Sequence, residues 1–338
     1  MMQFSIRLLA LSTNFAMKIV IISLVTSALF VNFTAAFWEY TPFCYYECCH
    51  EKWINLNNAT GLKGALTNQL YGQHLVTEVV VSAVSSHLTD PDPAKALVIS
   101  FHGPTGTGKN FVSRLITESI YKKGMLSKYV HVFSANNNFP HKQEVYKYKK
   151  FLKDAVTQHV SRCPRQLFIF DEVEDFPEGL LDTIKPYVDY NQHVDGVDYR
   201  KAMFIMLSNT GAIEISQKVD KHLQNEGKRE EIGLREMEEI IEKVSMNTGG
   251  FRRSRLIDHY VVSHFLPFLP LEKRHVRECI RALLRQKSIP ERAHERITDE
   301  VIEDLQFQPE GTGQYATKGC KNAIEKVNRV LYRMKDEL

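Results

Sequence analysis

The sequence predicts an α/β fold in which a parallel β-sheet is flanked by helices and followed by a small helical domain. Short apolar runs alternate with helix-like segments between Leu97 and Ser208, which is the pattern of a parallel sheet covered on both faces. A glycine-rich segment follows one of these runs, and two acidic residues close another. After Phe265 the chain is helical and charged, without a convincing strand, and Pro267 and Pro270 interrupt it.

The composition is that of a packed globular protein. Of 338 residues, 43% are apolar and 25% are charged, which excludes disordered, fibrous and coiled-coil classes and suits about two domains. The net charge is +3, and the first 36 residues carry Arg7 and Lys18 but no acid, so the remainder carries +1. A nearly neutral chain lacks the basic surface that binds a nucleic-acid backbone. We therefore expect no nucleic-acid partner.

The N-terminus has the pattern of a secretory signal. An uncharged apolar run of thirteen residues, 19–31, follows Lys18 and precedes small residues that end at Ala36, as in a signal peptide with its cleavage site. We assign residues 1–36 to the signal. A membrane span is the alternative, but it needs about 20 strongly apolar residues.

The start position leaves a further alternative open. Translation can begin at Met1 or at Met17. If it begins at Met1, residues 4–16 can serve as the signal. The run at 19–31 would then be retained as a membrane-surface segment, and the protein would associate peripherally with the membrane.

The last four residues, Lys335 to Leu338, spell the KDEL retrieval signal, which the KDEL receptor reads at a free C-terminus in the lumen. Together with the N-terminal signal, residues 335–338 predict residence in the lumen of the endoplasmic reticulum. In that compartment, Asn58, in Asn-Ala-Thr, is an acceptor for N-glycosylation. An unmodified surface Asn58 is the alternative.

Six cysteines follow the predicted signal, in a compartment that permits disulfides. Three of them lie in residues 37–50, which we treat as a Cys-rich N-terminal segment. The cysteines are Cys44, Cys48, Cys49, Cys163, Cys279 and Cys320. Sequence alone leaves their pairing open. The N-terminal cluster lacks a second Cys or His pair at zinc-finger spacing, which disfavours a metal site.

The alternation of strands and helices can be followed element by element. Apolar runs rich in β-branched and aromatic residues predict strands, and longer segments with helical periodicity predict helices. The predicted order is strand 97–101, helix 110–122, strand 129–133, helix 143–160, strand 167–171, a helix after Glu178, and strand 202–208. Because the sequence becomes helical and charged after Phe265, we place a domain boundary near residue 268. Residues 51–268 then form the large α/β domain and residues 269–334 the small helical domain.

A glycine-rich turn, which we call the P-loop, joins the first predicted strand to the first predicted helix. It consists of Gly103, Pro104, Thr105, Gly106, Thr107, Gly108, Lys109 and Asn110. A Walker A motif requires this context. Its backbone N–H groups and the helix N-terminus would bind phosphate, and Lys109 would reach the β and γ phosphates of ATP. Asn110 stands where Ser or Thr usually binds Mg²⁺, and its amide oxygen can hold the ion or a bridging water.

A pair of acidic residues closes the strand predicted at 167–171. Asp171 ends this strand and Glu172 follows it, which is a Walker B pattern. Asp171 would hold Mg²⁺ through water, and Glu172 could polarise the water that attacks the γ phosphate.

Two further residues are candidates for the same site. Asn209 follows the strand predicted at 202–208 and can orient the attacking water or touch the γ phosphate, although Asn is also a common turn former. In the small domain, Lys321 follows a Lys-Gly-Cys segment and opens a helix predicted at 321–333. From there Lys321 could reach the bound nucleotide.

These motifs, in this order, resemble those of AAA+ ATPases of the Clp-like branch. Finer features are similar to the torsin family: a Walker A motif that ends GTGKN, a Gly-Cys-Lys motif before the last helix, and the segments LYGQH, DTIKPYVDY, KAMFIMLSN and FLPFLPLE. The resemblance spans roughly Cys44 to Lys326. It implies an AAA+ P-loop fold with a C-terminal helical lid, and ATP and Mg²⁺ as cofactors.

The torsin resemblance also assigns roles to single residues. It implies that the P-loop, Gly103 to Asn110, binds ATP and that Asp171 binds Mg²⁺. It implies that Glu172 activates water, that Asn209 is sensor 1 and that Lys321 is sensor 2.

The resemblance implies in addition a disulfide between Cys279 and Cys320. Its redox state would tune nucleotide binding, because a disulfide beside Lys321 would move that residue relative to the phosphates. A purely structural disulfide is the alternative.

Torsins resemble AAA+ proteins that lack an arginine finger of their own. Where Clp-type relatives carry Asn-Arg-Ile-Asp, this chain has Arg255 to Asp258, with Leu256 at the finger position. The resemblance therefore implies a membrane-anchored luminal activator of the lamina-associated polypeptide 1 type that supplies the arginine, which contributes several orders of magnitude to the rate. Arg252, Arg253 or Arg255, acting between identical subunits, is the alternative.

Two functions remain open at this point. One is an activator-dependent ATPase that remodels or chaperones proteins or membranes in the endoplasmic reticulum and nuclear envelope, as a homo-oligomer or a hetero-oligomer with its activator. The other is a binding module whose assembly ATP controls with little turnover. The acidic pair Asp171 and Glu172 favours the first, whereas Asn110 and the missing finger favour the second. No Tyr-Val-Gly pore loop is present, which disfavours the threading of protein clients.

Overall fold

The computed structural model describes residues 48, 50, 52–252, 254–258, 261–308 and 313–334. The predicted signal (1–36), the retrieval signal (335–338), Cys44, Cys49 and Arg253 lie outside the described residues. The chain divides at residue 50 into two units, and every element below belongs to the second, 51–338. Over the described residues, no helix has both the length and the apolar character that crossing a bilayer requires.

The centre of the described structure is a parallel β-sheet. Its strands are β1 (Leu97–His102), β2 (Val130–Ser134), β3 (Leu167–Asp171), β4 (Met203–Ser208) and β5 (His264–Pro267). They lie in the order β2-β3-β4-β1-β5, and every neighbouring pair is parallel. All residues of β1 and β4 are buried, because helices cover both faces of a parallel sheet. The predicted fold class is confirmed.

Helices surround this sheet and make up most of the C-terminal part. The α-helices are α1 (Ala59–Gln69), α2 (His74–Thr89), α3 (Lys109–Ile120), α4 (Ala135–Asn138), α5 (Val145–Arg162), α6 (Lys185–Val188), α7 (Ala212–Gln224), α8 (Leu234–Ser245), α9 (Arg255–Asp258), α10 (Lys273–Gln286), α11 (His294–Glu303) and α12 (Ala323–Arg333). Short 3-10 helices lie at Gly124–Leu126, Lys142–Glu144, Val173–Asp175, Leu181–Thr183, Arg229–Glu231, Gly249–Phe251 and Glu291–Ala293.

Three predictions about the elements were wrong. A single helix after Glu178 is replaced by a 3-10 turn and the four-residue α6, whose second residue is a proline. A fifth strand, β5, lies where we predicted a break. It tolerates Pro267 because it is an edge strand and the proline is its last residue. The C-terminal part also contains a small antiparallel pair, β6 (Phe307–Gln308) and β7 (Tyr315–Ala316).

Among the described residues, one apolar core lies on the sheet and another lies in the C-terminal helical part. The first packs on the face of the sheet that carries Phe168 and Phe204, and it also includes Leu152; all three residues are fully buried. The second begins at Leu271 and joins α10, α11 and α12. Apart from Tyr315 of β7, the residues of the first core end at Leu269. The domain boundary near residue 268 stays a prediction.

Candidate nucleotide-binding site

The carboxyl ends of three adjacent strands meet at one edge of the sheet. The P-loop follows β1, Glu172 follows β3 and Asn209 follows β4. His102, the last residue of β1, pairs with Ser208, the last residue of β4. Ligands of open α/β sheets bind at this edge, and the sequence placed its candidate residues there.

The P-loop turns sharply between β1 and α3. Gly108 is the N-cap of α3 and has φ 113°, in the left-handed region that favours glycine. Lys109 and Asn110 are the first two residues of the helix. Their backbone N–H groups lack partners within the helix and can bind an anion such as phosphate.

Lys109 is held inside the site by three acceptors. Its Nζ donates to Gly103 O at 2.6 Å, to Pro104 O at 3.0 Å and to Asn209 Oδ1 at 2.9 Å. Only 8% of the residue is exposed, and burial lowers the pKa of Lys109 to about 8, against the attraction of nearby carboxylates. A phosphate oxygen must replace at least one of these acceptors, because an ammonium group has three donors.

Asn110 and Asp171 form the part of the site that suits a magnesium ion. Asn110 Nδ2 donates to Asp171 Oδ2 at 2.9 Å, and the backbone N–H of Glu172 donates to Asp171 Oδ1 at 3.0 Å. The amide oxygen of Asn110 and the carboxylate of Asp171 are hard oxygen donors, as Mg²⁺ prefers, and Mg²⁺ usually binds one or two carboxylates and completes its shell with phosphates and water. Among the described residues there is no group of three or more His, Cys, Asp or Glu side chains suited to a metal. The donor set therefore fits a nucleotide-bound Mg²⁺.

The side chain of Glu172 contacts α4, the short helix that follows the neighbouring strand β2. Its backbone is left-handed, with φ 59°, a conformation that costs a non-glycine residue about 1–3 kcal/mol and is concentrated at functional sites. Its Oε2 accepts from Asn136 Nδ2 at 2.8 Å. The sequence motifs did not include Asn136, although it lies just after β2 in a polar run, as a site residue would.

Asn209 contacts the P-loop on one side and an unpredicted carboxylate on the other. Its Oδ1 accepts from Lys109 and, at 3.5 Å, from Thr105 Oγ1. Its Nδ2 donates to Glu174 Oε1 at 2.6 Å. The structure thus brings Asn209 to the P-loop as predicted, and it adds Glu174.

A segment of the small domain touches the P-loop directly. Cys320 N donates to Gly106 O at 3.1 Å. Gly319 has φ 48°, and a Cβ atom there would lie 2.2 Å from Gly106 O, so only glycine allows this approach. Cys320 is disulfide-bonded to Cys279 of α10, with 6.2 Å between the Cα atoms.

In the described part of the chain, the side chain of Lys321 makes no hydrogen bond or ion pair to the P-loop, so its role as sensor 2 stays a prediction. Lys321 lies in the turn before α12, which begins at Ala323 instead of residue 321, and its side chain is exposed. The residue before it, Cys320, makes the backbone contact with the P-loop. Of the other cysteines, Cys48 and Cys163 are each disulfide-bonded.

A buried glutamine ties the P-loop to the start of the small domain. Gln73, which is 2% exposed, donates through Nε2 to Thr107 O at 3.1 Å and to Leu269 O at 2.9 Å. Leu269 N donates back to Gln73 Oε1 at 2.8 Å. Gln73 lies in the segment LYGQH, for which the sequence predicted no role in the site.

The segment at the predicted finger position is part of the core. Leu256 is fully buried, whereas Arg252 and Arg255 are exposed. Ser254 Oγ and Arg255 N both donate to Asp182 Oδ1 at 2.8 Å, which fixes the start of α9. At position 256 the chain therefore presents an apolar side chain to its own interior.

Asn58, the predicted glycosylation acceptor, lies at the N-cap of α1, outside the nucleotide site. Its Nδ2, the atom that a glycan would modify, donates to Ser119 O at 3.2 Å. Glycosylation at Asn58 stays a prediction.

Fold and site together define the class of protein. The chain has the AAA+ fold, and solved structures of yeast Hsp104 share it. A Saccharomyces cerevisiae Hsp104–ADP complex matches with a TM-score of 0.54 and 14% identity, over 83% of this chain and 47% of that chain. An Hsp104–casein complex in an extended conformation matches with a TM-score of 0.55 and 13% identity, over 84% of this chain and 47% of that chain. At such identities the likeness is one of fold.

Within that class, the chain belongs to the torsin family. The torsin family model matches residues 43–170, and the model of the torsin-1A C-terminal domain matches residues 271–328. A torsin-like protein of Caenorhabditis elegans is 39% identical over 288 residues, which cover 84% of this chain and 81% of the nematode protein. A torsin-like protein of Drosophila melanogaster is 38% identical over 302 residues, which cover 88% of each.

Proposed function

We propose that this torsin-like AAA+ ATPase hydrolyses ATP in the lumen of the endoplasmic reticulum and nuclear envelope, and that it uses hydrolysis to remodel or chaperone proteins or membranes. The observation that carries the proposal is the convergence of Lys109, Asp171, Glu172 and Asn209 at the ends of β1, β3 and β4. Phosphate binding, metal binding and water activation need these residue types at one edge of the sheet.

Each residue has a task that its position supports. Lys109 exchanges an internal acceptor for the β and γ phosphates. Asp171 and Asn110 would hold Mg²⁺, which neutralises phosphate charge when bound. Glu172, released from Asn136, accepts a hydrogen bond from the attacking water and takes its proton, and Asn209 orients that water.

The finger that completes the site comes, in this proposal, from another protein. Leu256 is fully buried at the finger position and its side chain has no charge to offer. A membrane-anchored luminal activator of the lamina-associated polypeptide type supplies an arginine instead, in a hetero-oligomer with this chain. Exposed Arg252 or Arg255 of a second copy is the competing source, in a homo-oligomer.

In the same proposal, the small domain is coupled to the nucleotide site. Cys320 donates to the P-loop through its backbone and is bonded to Cys279 through its sulfur. Reduction of this disulfide releases the segment that carries Lys321 and changes the affinity for ATP. Lys321 acts as sensor 2 once the small domain moves toward the phosphates.

A second function is favoured by one observation: the amide of Asn110, at the position that usually ligates magnesium, already donates to Asp171. In that case the protein is a binding module that ATP controls, with little turnover. Glu172→Gln separates the two functions. In an ATPase this variant retains bound ATP much longer than the wild type, because the water is no longer activated, whereas in a binding module both release ATP at the same rate.

The direct test of the site is ATP binding by Lys109→Ala. We expect the variant to lose MgATP binding in calorimetry, because it removes the cation that would contact the phosphates. Lys287→Ala, which removes an exposed lysine of the small domain just after α10, is the matched control and should bind as the wild type does. Equal affinities for wild type and Lys109→Ala would refute the nucleotide site.

A further inference from the structure

A third carboxylate, Glu174, faces the end of β4, on the opposite side of β3 from the contact that Glu172 makes. Ser208 Oγ and Asn209 N donate to Glu174 Oε2 at 2.9 and 3.0 Å, and Asn209 Nδ2 donates to Oε1 at 2.6 Å. An ionised carboxylate only accepts hydrogen bonds. Glu174 therefore determines which end of the Asn209 amide faces it.

This orientation determines which atom of the Asn209 amide faces the P-loop. With its NH₂ group bound to Glu174, Asn209 presents its amide oxygen to Lys109 Nζ at 2.9 Å and to Thr105 Oγ1 at 3.5 Å. Both partners are donors, so the oxygen is the atom that suits them. The opposite orientation would place amide hydrogens against an ammonium group.

We propose that Glu174 is a positioning residue of the nucleotide site, which fixes the amide of Asn209 so that its oxygen faces Lys109 and the phosphate side of the P-loop. The inference rests on the proposed function, because Asn209 matters only if a nucleotide binds there. When Lys109 turns toward the phosphates, this oxygen is left pointing at the site and can accept a hydrogen bond from water.

The backbone around Glu174 is clamped, which lets its carboxylate impose the orientation. Glu174 lies in the 3-10 helix Val173–Asp175, directly after left-handed Glu172. The turn Gly249–Phe251 packs against it so closely that a Cβ on Gly249 would lie 2.7 Å from Glu174 Cα, and one on Gly250 would lie 2.3 Å from Val173 O. The backbone that carries this carboxylate is therefore held in place.

The test compares two variants that remove the same charge from the same turn. Glu174→Gln replaces one of the two acceptor oxygens by an NH₂ donor, so the side chain can no longer accept from both Asn209 Nδ2 and the Ser208–Asn209 pair of donors. Asp175→Asn is the matched control, because Asp175 is exposed and makes no side-chain hydrogen bond to the site in the described part of the chain. Loss of a negative charge alone should tighten the binding of anionic ATP, so a positioning role and a charge effect have opposite signs.

We expect the Kd for MgATP, measured by calorimetry, to rise about tenfold in Glu174→Gln, the range for loss of a charge-assisted hydrogen bond. Asp175→Asn should bind MgATP as tightly as the wild type or slightly tighter. Asn209→Ala should show a loss similar to that of Glu174→Gln, and the double variant should lose no more than Asn209→Ala alone, because Glu174 acts through Asn209. Unchanged melting temperatures show that each variant is folded.

Two results would overturn the inference: MgATP affinity in Glu174→Gln equal to or higher than that of the wild type, or losses that add in the double variant. Failure of the proposed function has a different signature. In that case the wild type itself binds no MgATP, and all variants behave alike.

Discussion

Binding of ATP should be coupled to protonation of Lys109. Burial lowers the pKa of this lysine to about 8 in the nucleotide-free protein, whereas an ordinary lysine titrates near about 10.4. Only the charged form attracts phosphate, and bound phosphate raises the pKa again. The affinity for ATP should therefore be highest below pH 8. It should fall as the pH rises through 8 and become constant again above the pKa that Lys109 has in the ATP-bound state.

The magnitude follows from the pKa. With a pKa of about 8, about nine-tenths of the free protein carries the proton at pH 7 and about one-tenth at pH 9, so the affinity should fall about tenfold, or ~1.4 kcal/mol. Calorimetry in buffers of different ionisation enthalpy counts the protons directly. We expect uptake of roughly 0.1 proton per ATP at pH 7 and roughly 0.9 at pH 9.

A second lysine titrates in the same range and provides the control. Lys95 precedes β1, at the opposite end of that strand from the P-loop. It donates to Val261 O at 2.6 Å and to Ser263 Oγ at 2.9 Å, and burial lowers its pKa to about 8 as well. Lys95→Ala should leave proton uptake unchanged, whereas Lys109→Arg should abolish it, because arginine stays charged. Negligible uptake by the wild type at pH 9, or equal uptake by Lys109→Arg, would refute the coupling.

Three further predictions concern neighbouring contacts. Asn136→Ala removes the side chain that donates to Glu172, so single-turnover hydrolysis of ATP should accelerate severalfold while MgATP affinity changes little. Slower hydrolysis would mean that Asn136 holds Glu172 in its working position. Gly319→Ala places a Cβ against the P-loop and should weaken MgATP binding at least about tenfold. Gly64→Ala is the control, because its new Cβ would lie in open space within α1. It should bind MgATP normally and raise the free energy of unfolding by about 0.5–1 kcal/mol. Equal MgATP binding by Gly319→Ala and Gly64→Ala would contradict the contact between the small domain and the P-loop. Leu256→Arg should lower the melting temperature sharply without giving hydrolysis in the absence of an activator, because an unpaired charge would enter the core; a stable, active variant would show that the position can host a finger.

The parts of the site that follow strands directly were predictable from the sequence. Lys109, Asp171 and Asn209 each lie within a few residues of a strong apolar run, and the ends of parallel strands meet at one edge. Local chemistry and topology together were therefore sufficient to place them.

The supporting residues were not predictable, because their roles depend on the directions in which their side chains point. No local sequence pattern predicts these directions. Glu172 and Glu174 are two residues apart, yet the left-handed backbone at Glu172 sends their side chains to opposite neighbouring strands. Gln73 acts on Leu269, 196 residues away, and a lone glutamine before a helix gives no signal of such a contact. The strand β5 was missed because four residues that end in proline resemble a break.

The measurement that tests the central claim most directly is steady-state ATP hydrolysis by the purified protein. It should be made with and without the luminal domain of a lamina-associated polypeptide type membrane protein, for wild type and Glu172→Gln. Our account predicts turnover that appears only with the activator and disappears in the variant. Robust turnover by the protein alone would contradict the split site and point to Arg252 or Arg255 of a second copy, and bound ATP without turnover in either condition would contradict the ATPase itself.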